Sequence, residues 1–147
     1  MFRILSVALG ALGVLSAVCA GERAMITDAR VWKSPDGIQL VFGVDGPVTH
    51  RLEQAVADGR VVIEFDASRL RTNLHRLDFK GTAVSAAYAL ERRDGALVIV
   101  LDLNRNATAK SILLKPNREY GYRVLVDVET PMAVQEPVTR HVDTPAA

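Results

Sequence analysis

The sequence predicts an all-β protein, a β-sandwich of two roughly symmetric antiparallel sheets that arise from an internal duplication. Three observations predict this class. Apolar residues alternate with polar ones along most of the chain between residues 24 and 129, which is the period-two pattern of strands. Turn dipeptides separate these runs. The runs also repeat between the two halves, and two packed sheets would bury their apolar faces. Closure into a single sheet or a barrel is the alternative.

Residues 1–20 are predicted to be a secretory signal peptide that is cleaved from the folded protein. Arg3 is their only charge, and small residues follow the apolar segment. The apolar run from Ile4 to Val18 is shorter than the roughly 20 residues that a membrane-spanning helix needs. Because Val18 fits a lipoprotein cleavage site poorly, we expect ordinary cleavage between Ala20 and Gly21.

The overall charge argues against a nucleic-acid partner. The chain has 18 Lys and Arg against 17 Asp and Glu, and removing Arg3 with the leader leaves 17 of each sign. Nucleic-acid-binding domains normally carry a basic excess. The leader also contains Cys19, the only cysteine, so neither an intrachain disulfide nor an all-cysteine zinc cluster can form. We expect no cofactor, no nucleic-acid partner and no stable membrane anchor.

The alternation predicts seven or eight strands among nine candidate segments, of which the fifth has the weakest pattern. The segments span about residues 25–33, 37–45, 48–54, 60–66, 76–79, 83–92, 96–104, 108–115 and 119–128. Turns at Pro35-Asp36-Gly37, Asp58-Gly59 and Asp94-Gly95 separate them, because Asp-Gly supplies the positive φ of tight hairpins. Residues 68–75 are the only expected helix or irregular crossing.

The two halves of the predicted domain echo each other. The first half reads ARVWKSPDGIQLVFGVD and the second AYALERRDGALVIVLDL, with Asp-Gly pairs at residues 36 and 94, which lie 58 residues apart. Each half continues with a third strand and a fourth strand that ends in an acidic residue. We therefore expect two packed sheets, each formed mostly from one half.

The predicted domain spans residues 21–129, and residues 130–147 are predicted to be a linker or tail. The tail contains three of the six prolines and shows no periodicity. A folded part of this length has room for one core.

Four segments in order resemble the AMIN domain. Residues 29–32 (ARVW), followed by the Pro-Asp-Gly hairpin and residues 45–48 (DGPV), are similar to its start. Residues 59–66 (GRVVIEFD) are similar to its middle strand. Residues 114–116 (LKP), followed by residues 120–128 (YGYRVLVDV), are similar to its end and are the closest match. The resemblance covers about residues 25–129.

The resemblance implies a non-catalytic β-sandwich module on an exported bacterial protein. Such modules target N-acetylmuramoyl-L-alanine amidases to the division septum by binding peptidoglycan, and they also occur on secretins of pili and transport machines. A catalytic zinc domain normally follows the linker, so the chain resembles the targeting part of an amidase or a free-standing AMIN protein.

The expected location is therefore the periplasm, and the expected partners are peptidoglycan and septal or envelope proteins. The alternative is a protein–protein module of an envelope secretin or pilus-type assembly, bound through a sheet edge.

Catalytic motifs are not found in the sequence. His50, His75 and His141 lack the short spacing of metal ligands on a helix, and no nucleophile-elbow motif occurs. We therefore expect no enzyme activity, no catalytic residue and no metal site on these residues.

Binding to peptidoglycan would need other residue types. Aromatic rings stack on sugars, and arginines clamp the carboxylates of stem peptides. Three candidate surfaces combine them: Arg30 with Trp32, the cluster Arg69, Arg71 and Arg76, and Tyr120 with Arg123. The alternatives are that Trp32 caps the edge of the core and that the arginines of the crossing are only solvated. The sequence does not choose among the three surfaces.

Overall fold

The computed structural model describes residues 22–131, which form nine strands and two 3-10 turns. The strands are β1 (Ala24–Ser34), β2 (Gly37–Val44), β3 (His50–Ala55), β4 (Arg60–Phe65), β5 (Ser68–Leu70), β6 (Val84–Glu91), β7 (Leu97–Leu103), β8 (Thr108–Leu114) and β9 (Tyr122–Glu129). The turns are Val56–Asp58 and Leu74–Arg76. The predicted signal peptide, residues 1–20, and the predicted tail after Pro131 lie outside the described residues.

Two sheets pack face to face, which confirms the predicted sandwich. One has five strands in the order β5-β1-β2-β9-β8, and the other has four in the order β3-β4-β7-β6. Every pairing is antiparallel except the short parallel pair of β1 and β5. The all-β prediction is confirmed, and the alternatives of a single sheet or a barrel are wrong.

The core lies between the inner faces of the two sheets. Leu40, Phe42 and Val126 from the five-stranded sheet are fully buried, as are Phe65 and Ile99 from the other. The rings of Phe42 and Phe65 meet edge to face, with centroids 5.9 Å apart. Burial of each large apolar side chain contributes about 1.5–3 kcal/mol to the free energy of unfolding. The period-two burial of strands such as β2, β4 and β9 is therefore the pattern of one shared core.

The prediction that each sheet comes mostly from one half is wrong. The five-stranded sheet joins the β1–β2 hairpin to the β8–β9 hairpin, and the four-stranded sheet joins β3–β4 to β6–β7. Each half crosses to the opposite sheet after its first hairpin, the first half through residues 45–49. Periodicity shows which residues face inward but not which sheet they join, so it does not distinguish interlocked halves from separate ones.

The duplication itself is visible in the strand order and in the register. The order β1-β2-β9-β8 maps onto β6-β7-β4-β3 when the two halves are exchanged. Both first strands contain a bulge, β1 between Ile26 and Asp28 and β6 between Val84 and Ala86, 58 residues later. The predicted internal symmetry is thus confirmed as a pseudo-twofold relation between the two sheets, and it identifies equivalent positions on their outer faces.

The expected strand at residues 76–79 is wrong. Strand β5 forms earlier, at residues 68–70, and residues 74–76 form a 3-10 turn in which the Asn73 side chain accepts a hydrogen bond from the backbone N–H of His75. Leu77 and Phe79 do pack against the core, as their alternation indicates, but from a crossing segment with no strand partner within residues 22–131.

Glycines at the three Asp-Gly turns have two different roles. Gly59 and Gly95 adopt positive φ, 61° and 89°, as predicted. Gly37 does not have positive φ, so the prediction is wrong there. A Cβ on Gly37 would lie 2.1 Å from the carbonyl oxygen of Val128, so close approach of β9 is what requires this glycine.

Candidate binding site

The outer face of the five-stranded sheet presents three rows of side chains across β1, β2 and β9. From one end of the strands, the rows are Trp32–Gln39–Asp127, Arg30–Val41–Leu125 and Asp28–Gly43–Arg123. The intervening residues Ala29 and Val31 pack on the core, as the sequence pattern predicts. Strand register therefore places the first and third predicted surfaces side by side.

A groove of about 380 Å³ lies over these rows and is lined by Arg30, Trp32, Tyr120 and Arg123. Gly43 interrupts the side chains at the centre of the third row, between Asp28 and Arg123 on the neighbouring strands. A glycine within a strand leaves room for close approach of a ligand. The groove therefore has arginines at both sides and open backbone between them.

Arg123 is held in place by the loop that precedes its strand. Its guanidinium lies over the ring of Tyr120, 4.5 Å from the centroid, in a cation–π contact. The Asn117 side chain fixes this loop by accepting hydrogen bonds from the backbone N–H groups of Glu119 and Tyr120, at 2.9 and 2.8 Å. The arginine is thus oriented before any ligand arrives.

The Nε atom of Arg123 is shielded from solvent and has no hydrogen-bond partner among residues 22–131. A shielded donor without an acceptor costs free energy, about 1–3 kcal/mol. Such donors are rare in native proteins and call for an explanation. A ligand acceptor can bond to this nitrogen only if the guanidinium of Arg123 shifts on the Tyr120 ring, because Nε is out of reach of a water-sized group in the present geometry.

Trp32 is 63% exposed and faces away from the core, so the alternative that it caps the core edge is wrong. On the same strand, Nε of Arg30 pairs with Oδ2 of Asp28 at 2.8 Å. A large exposed aromatic side chain beside charged groups is typical of binding surfaces.

The other predicted arginines lie elsewhere. Arg69 is in β5, Arg71 follows it, and Arg76 is in the second 3-10 turn. All three are exposed, and none lines the groove. The structure therefore brings together Arg30, Trp32, Tyr120 and Arg123 and leaves the second predicted surface apart.

A wider groove of about 800 Å³ begins on the other side of Trp32 and is acidic. Asp36, Asp127 and Glu129 line it together with Lys33. Oδ1 of Asp127 accepts a hydrogen bond of 2.8 Å from the Gln39 side chain. Its surplus of carboxylates makes this groove a poor site for an anionic ligand.

Sequence reasoning missed Gly43, Val41 and Leu125, which line the central groove. The sequence does mark Gly43, because a glycine interrupts the run of β-branched and aromatic residues in β2. Alternation already places Val41 and Leu125 on the face opposite the core, but their apolar side chains do not mark them as ligand contacts, and only the register shows that they are neighbours.

The outer face of the four-stranded sheet is built differently, because its charges pair with each other. Glu64 accepts hydrogen bonds from Arg51 at 2.7 Å and from Arg92 at 3.0 Å. Nε of Arg60 donates to Oδ1 of Asp102 at 3.0 Å, and this hydrogen bond raises the pKa of Arg60 above its ordinary value. This face leaves little charge for a ligand to neutralise.

Two other kinds of site are absent from the described residues, a metal cluster and a membrane-spanning helix. Residues 22–131 contain no group of three or more His, Cys, Asp or Glu side chains placed to hold a metal ion. Over the same residues, no helix has the length and apolar character needed to cross a membrane.

Comparison with known proteins identifies the family. A family model described as the AMIN domain matches residues 28–128, from the end of the β1 bulge to the last strand. A search among curated proteins returned no significant match. AMIN domains are non-catalytic targeting and binding modules of cell-envelope proteins such as amidases and secretins. The match covers more than half of the chain and agrees with the resemblance seen in the sequence, so the chain belongs to the AMIN domain family.

Proposed function

We propose that this protein is a periplasmic peptidoglycan-binding module that directs a wall amidase to the division septum. The observation that carries the proposal is the central groove, where an exposed Trp32 stands beside Arg30 and an Arg123 with a shielded, unsatisfied Nε. The leader-like residues 1–20 support export to the periplasm.

The groove has the chemistry that peptidoglycan requires. The indole of Trp32 offers an apolar face to a sugar ring, and the apolar row of Val41 and Leu125 continues this surface across the sheet. Arg30 and Arg123 offer cations to the carboxylates of stem peptides. A chain with nearly balanced charge must recognise an anionic polymer through such a local patch.

A sedimentation assay tests the proposal with residues 21–147 and purified insoluble sacculi. The unsubstituted protein is expected in the pellet, and the double variant Trp32→Ala/Arg123→Ala in the supernatant. The matched control is Leu90→Ala/Arg60→Ala, which changes the equivalent positions of the four-stranded sheet and should leave sedimentation intact. Absence of the unsubstituted protein from the pellet would sink the proposal.

One observation favours a second candidate function, docking to an envelope protein. Strand β8 forms an edge of the five-stranded sheet, and Ile112 on its outward side is exposed. An exposed edge with an apolar side chain can accept a strand from a partner. If this second function is correct, the unsubstituted protein does not bind sacculi but captures an envelope partner. Ile112→Lys then abolishes that capture.

A further inference from the structure

The pseudo-twofold relation places two arginines at equivalent positions with different neighbours. In the four-stranded sheet, the row after the β6 bulge is Ala86–Asp102–Arg60. In the five-stranded sheet, the row after the β1 bulge is Asp28–Gly43–Arg123. Gly43 therefore stands where the other sheet has Asp102.

This difference accounts for the hydrogen bonding of the two arginines. Nε of Arg60 donates to Asp102, whereas Nε of Arg123 is shielded from solvent and has no acceptor within residues 22–131. The same atom of the same residue type is thus satisfied in one copy and unsatisfied in the other. A carboxylate above Gly43 would serve Arg123 as Asp102 serves Arg60.

The charge of the groove favours the same ligand group. Asp28, Arg30 and Arg123 are the charged residues among those that line it, which leaves one net positive charge. Asp28 and Arg30 already form an ion pair, so Arg123 carries the unmatched charge. Charge complementarity therefore calls for an anion beside Arg123.

We propose that the groove binds a free carboxylate of a peptidoglycan stem peptide above Gly43, where the guanidinium of Arg123 donates to it. This inference rests on the proposed function and adds where in the groove the carboxylate is held and which of the two arginines holds it. In peptidoglycan the free carboxylates belong to the stem peptides, because the lactyl groups of the glycan are amide-linked to them. The rest of the ligand extends over Val41 toward Trp32.

Chemically modified sacculi test the inference separately from the function. We expect the affinity of residues 21–147 to fall at least about tenfold when the free carboxyl groups of the sacculi are converted to amides, the size of a lost charge-assisted hydrogen bond. Equal binding to amidated and untreated sacculi would overturn the carboxylate site and leave the proposed function standing. Binding to neither would overturn both.

A variant that supplies the carboxylate from within the protein provides a second test. Asp28→Ala/Gly43→Asp gives the third row the residues of its equivalent, Ala86–Asp102–Arg60. A Cβ on Gly43 would lie 3.3 Å from Cβ of residue 28, so the strand must shift by a few tenths of an ångström; the equivalent row does hold an alanine, Ala86, opposite an aspartate, Asp102. We expect this variant to bind sacculi at least about tenfold more weakly than Asp28→Ala/Gly43→Asn, whose new side chain has the same size but no charge; equal binding by the two variants would contradict the inference.

Nuclear magnetic resonance keeps the inference testable even if that variant does not fold. In the unsubstituted protein, a soluble disaccharide with a free-carboxylate stem peptide should shift the Nε–H signal of Arg123 and leave that of Arg60 unchanged. The fully amidated disaccharide peptide should shift neither. The opposite result would overturn the proposal: the Arg123 signal would move when residues 132–147 are removed, but not when the free-carboxylate peptide is added. That result would mean that the tail occupies the groove.

Discussion

The outer faces of the two sheets have the same architecture but opposite charge arrangements. On each face, the row of side chains that follows the bulge ends in an arginine, Arg123 on the five-stranded sheet and Arg60 on the four-stranded sheet. On the four-stranded sheet the arginines meet carboxylates of the protein itself. On the five-stranded sheet Arg123 meets an open backbone at Gly43 and the ring of Tyr120.

The comparison teaches how a duplicated fold can separate stability from recognition. The core needs the inner faces of both copies, because the fully buried large apolar side chains meet there. An exposed ion pair contributes little to stability, so one copy can lack it without endangering the fold. In the proposed function, one copy keeps a closed face while the other presents its arginine to the ligand.

The largest expected effect tests whether the two faces share one core. Phe42 is fully buried and contacts Phe65 of the other sheet. We expect Phe42→Ala to lower the free energy of unfolding by about 3–5 kcal/mol, because it leaves a cavity between the sheets. Urea unfolding followed by Trp32 fluorescence and by amide exchange in β4 and β7 should give one coincident transition. Separate transitions would show that the two faces rest on independent units.

The next effect tests the difference between the two arginines. Arg123→Ala should weaken sacculus binding about tenfold or more, because it removes a charge-assisted hydrogen bond to the ligand. Arg60→Ala should leave binding unchanged, because the partner of Arg60 is Asp102. Both affinities are measured by sedimentation at low and high salt, and the salt dependence should be smaller for Arg123→Ala. Equal losses for the two variants would refute the distinction between the faces.

Sequence reasoning predicts the strands because their burial alternates with period two, and the buried residues Ile38, Leu40, Phe42 and Val44 illustrate this in β2. It does not predict which sheet each strand joins, because the partner of β2 is β9, more than 75 residues away. Long-range pairing leaves no local pattern in a sequence, and for this reason the interlocked halves were missed.

The candidate site was only partly predictable, because its members come from strands whose pairing leaves no local pattern in the sequence. Arg30 and Trp32 stand out locally because they share a face of β1, and Tyr120 and Arg123 stand out because they are close in sequence. Their union in one groove depends on the β2–β9 register, and the importance of Gly43 depends on its comparison with Asp102. Both are properties of the sheet and not of any segment.

A smaller effect compares the two exposed apolar side chains at equivalent positions. Trp32 is 63% exposed and Leu90 is 56% exposed. Trp32 lies two residues after Arg30 in β1, and Leu90 lies two residues after Tyr88 in β6, so the two positions are equivalent. Trp32→Ala should weaken sacculus binding about fivefold, as expected for loss of stacking on an aromatic ring. Leu90→Ala should not change it. Because both side chains are exposed, circular dichroism should show the same unfolding temperature for both variants; a binding loss in Leu90→Ala would move the site to the other face.

The smallest effect concerns a residue that belongs to neither outer face. His50 of β3 lies where β3 contacts β8 of the opposite sheet, with its Nε2 3.0 Å from Oγ of Ser111. Burial lowers the pKa of His50, so the folded protein binds a proton there less readily than the unfolded chain does. The stability that neutral His50 contributes is therefore fully present above the ordinary histidine pKa of about 6.5 and is lost as the pH falls through the lowered pKa.

We expect the unfolding temperature to drop between about pH 7.5 and pH 5 in the unsubstituted protein and to drop less in His50→Gln. His75→Gln is the matched control, since it replaces an exposed histidine on a 3-10 turn away from the contact between β3 and β8. Sacculus binding by folded His50→Gln should equal that of the unsubstituted protein, because the contact between the sheets supports both faces alike; a selective loss of binding would mean that the groove depends on this contact and not on Arg123 and Gly43 alone.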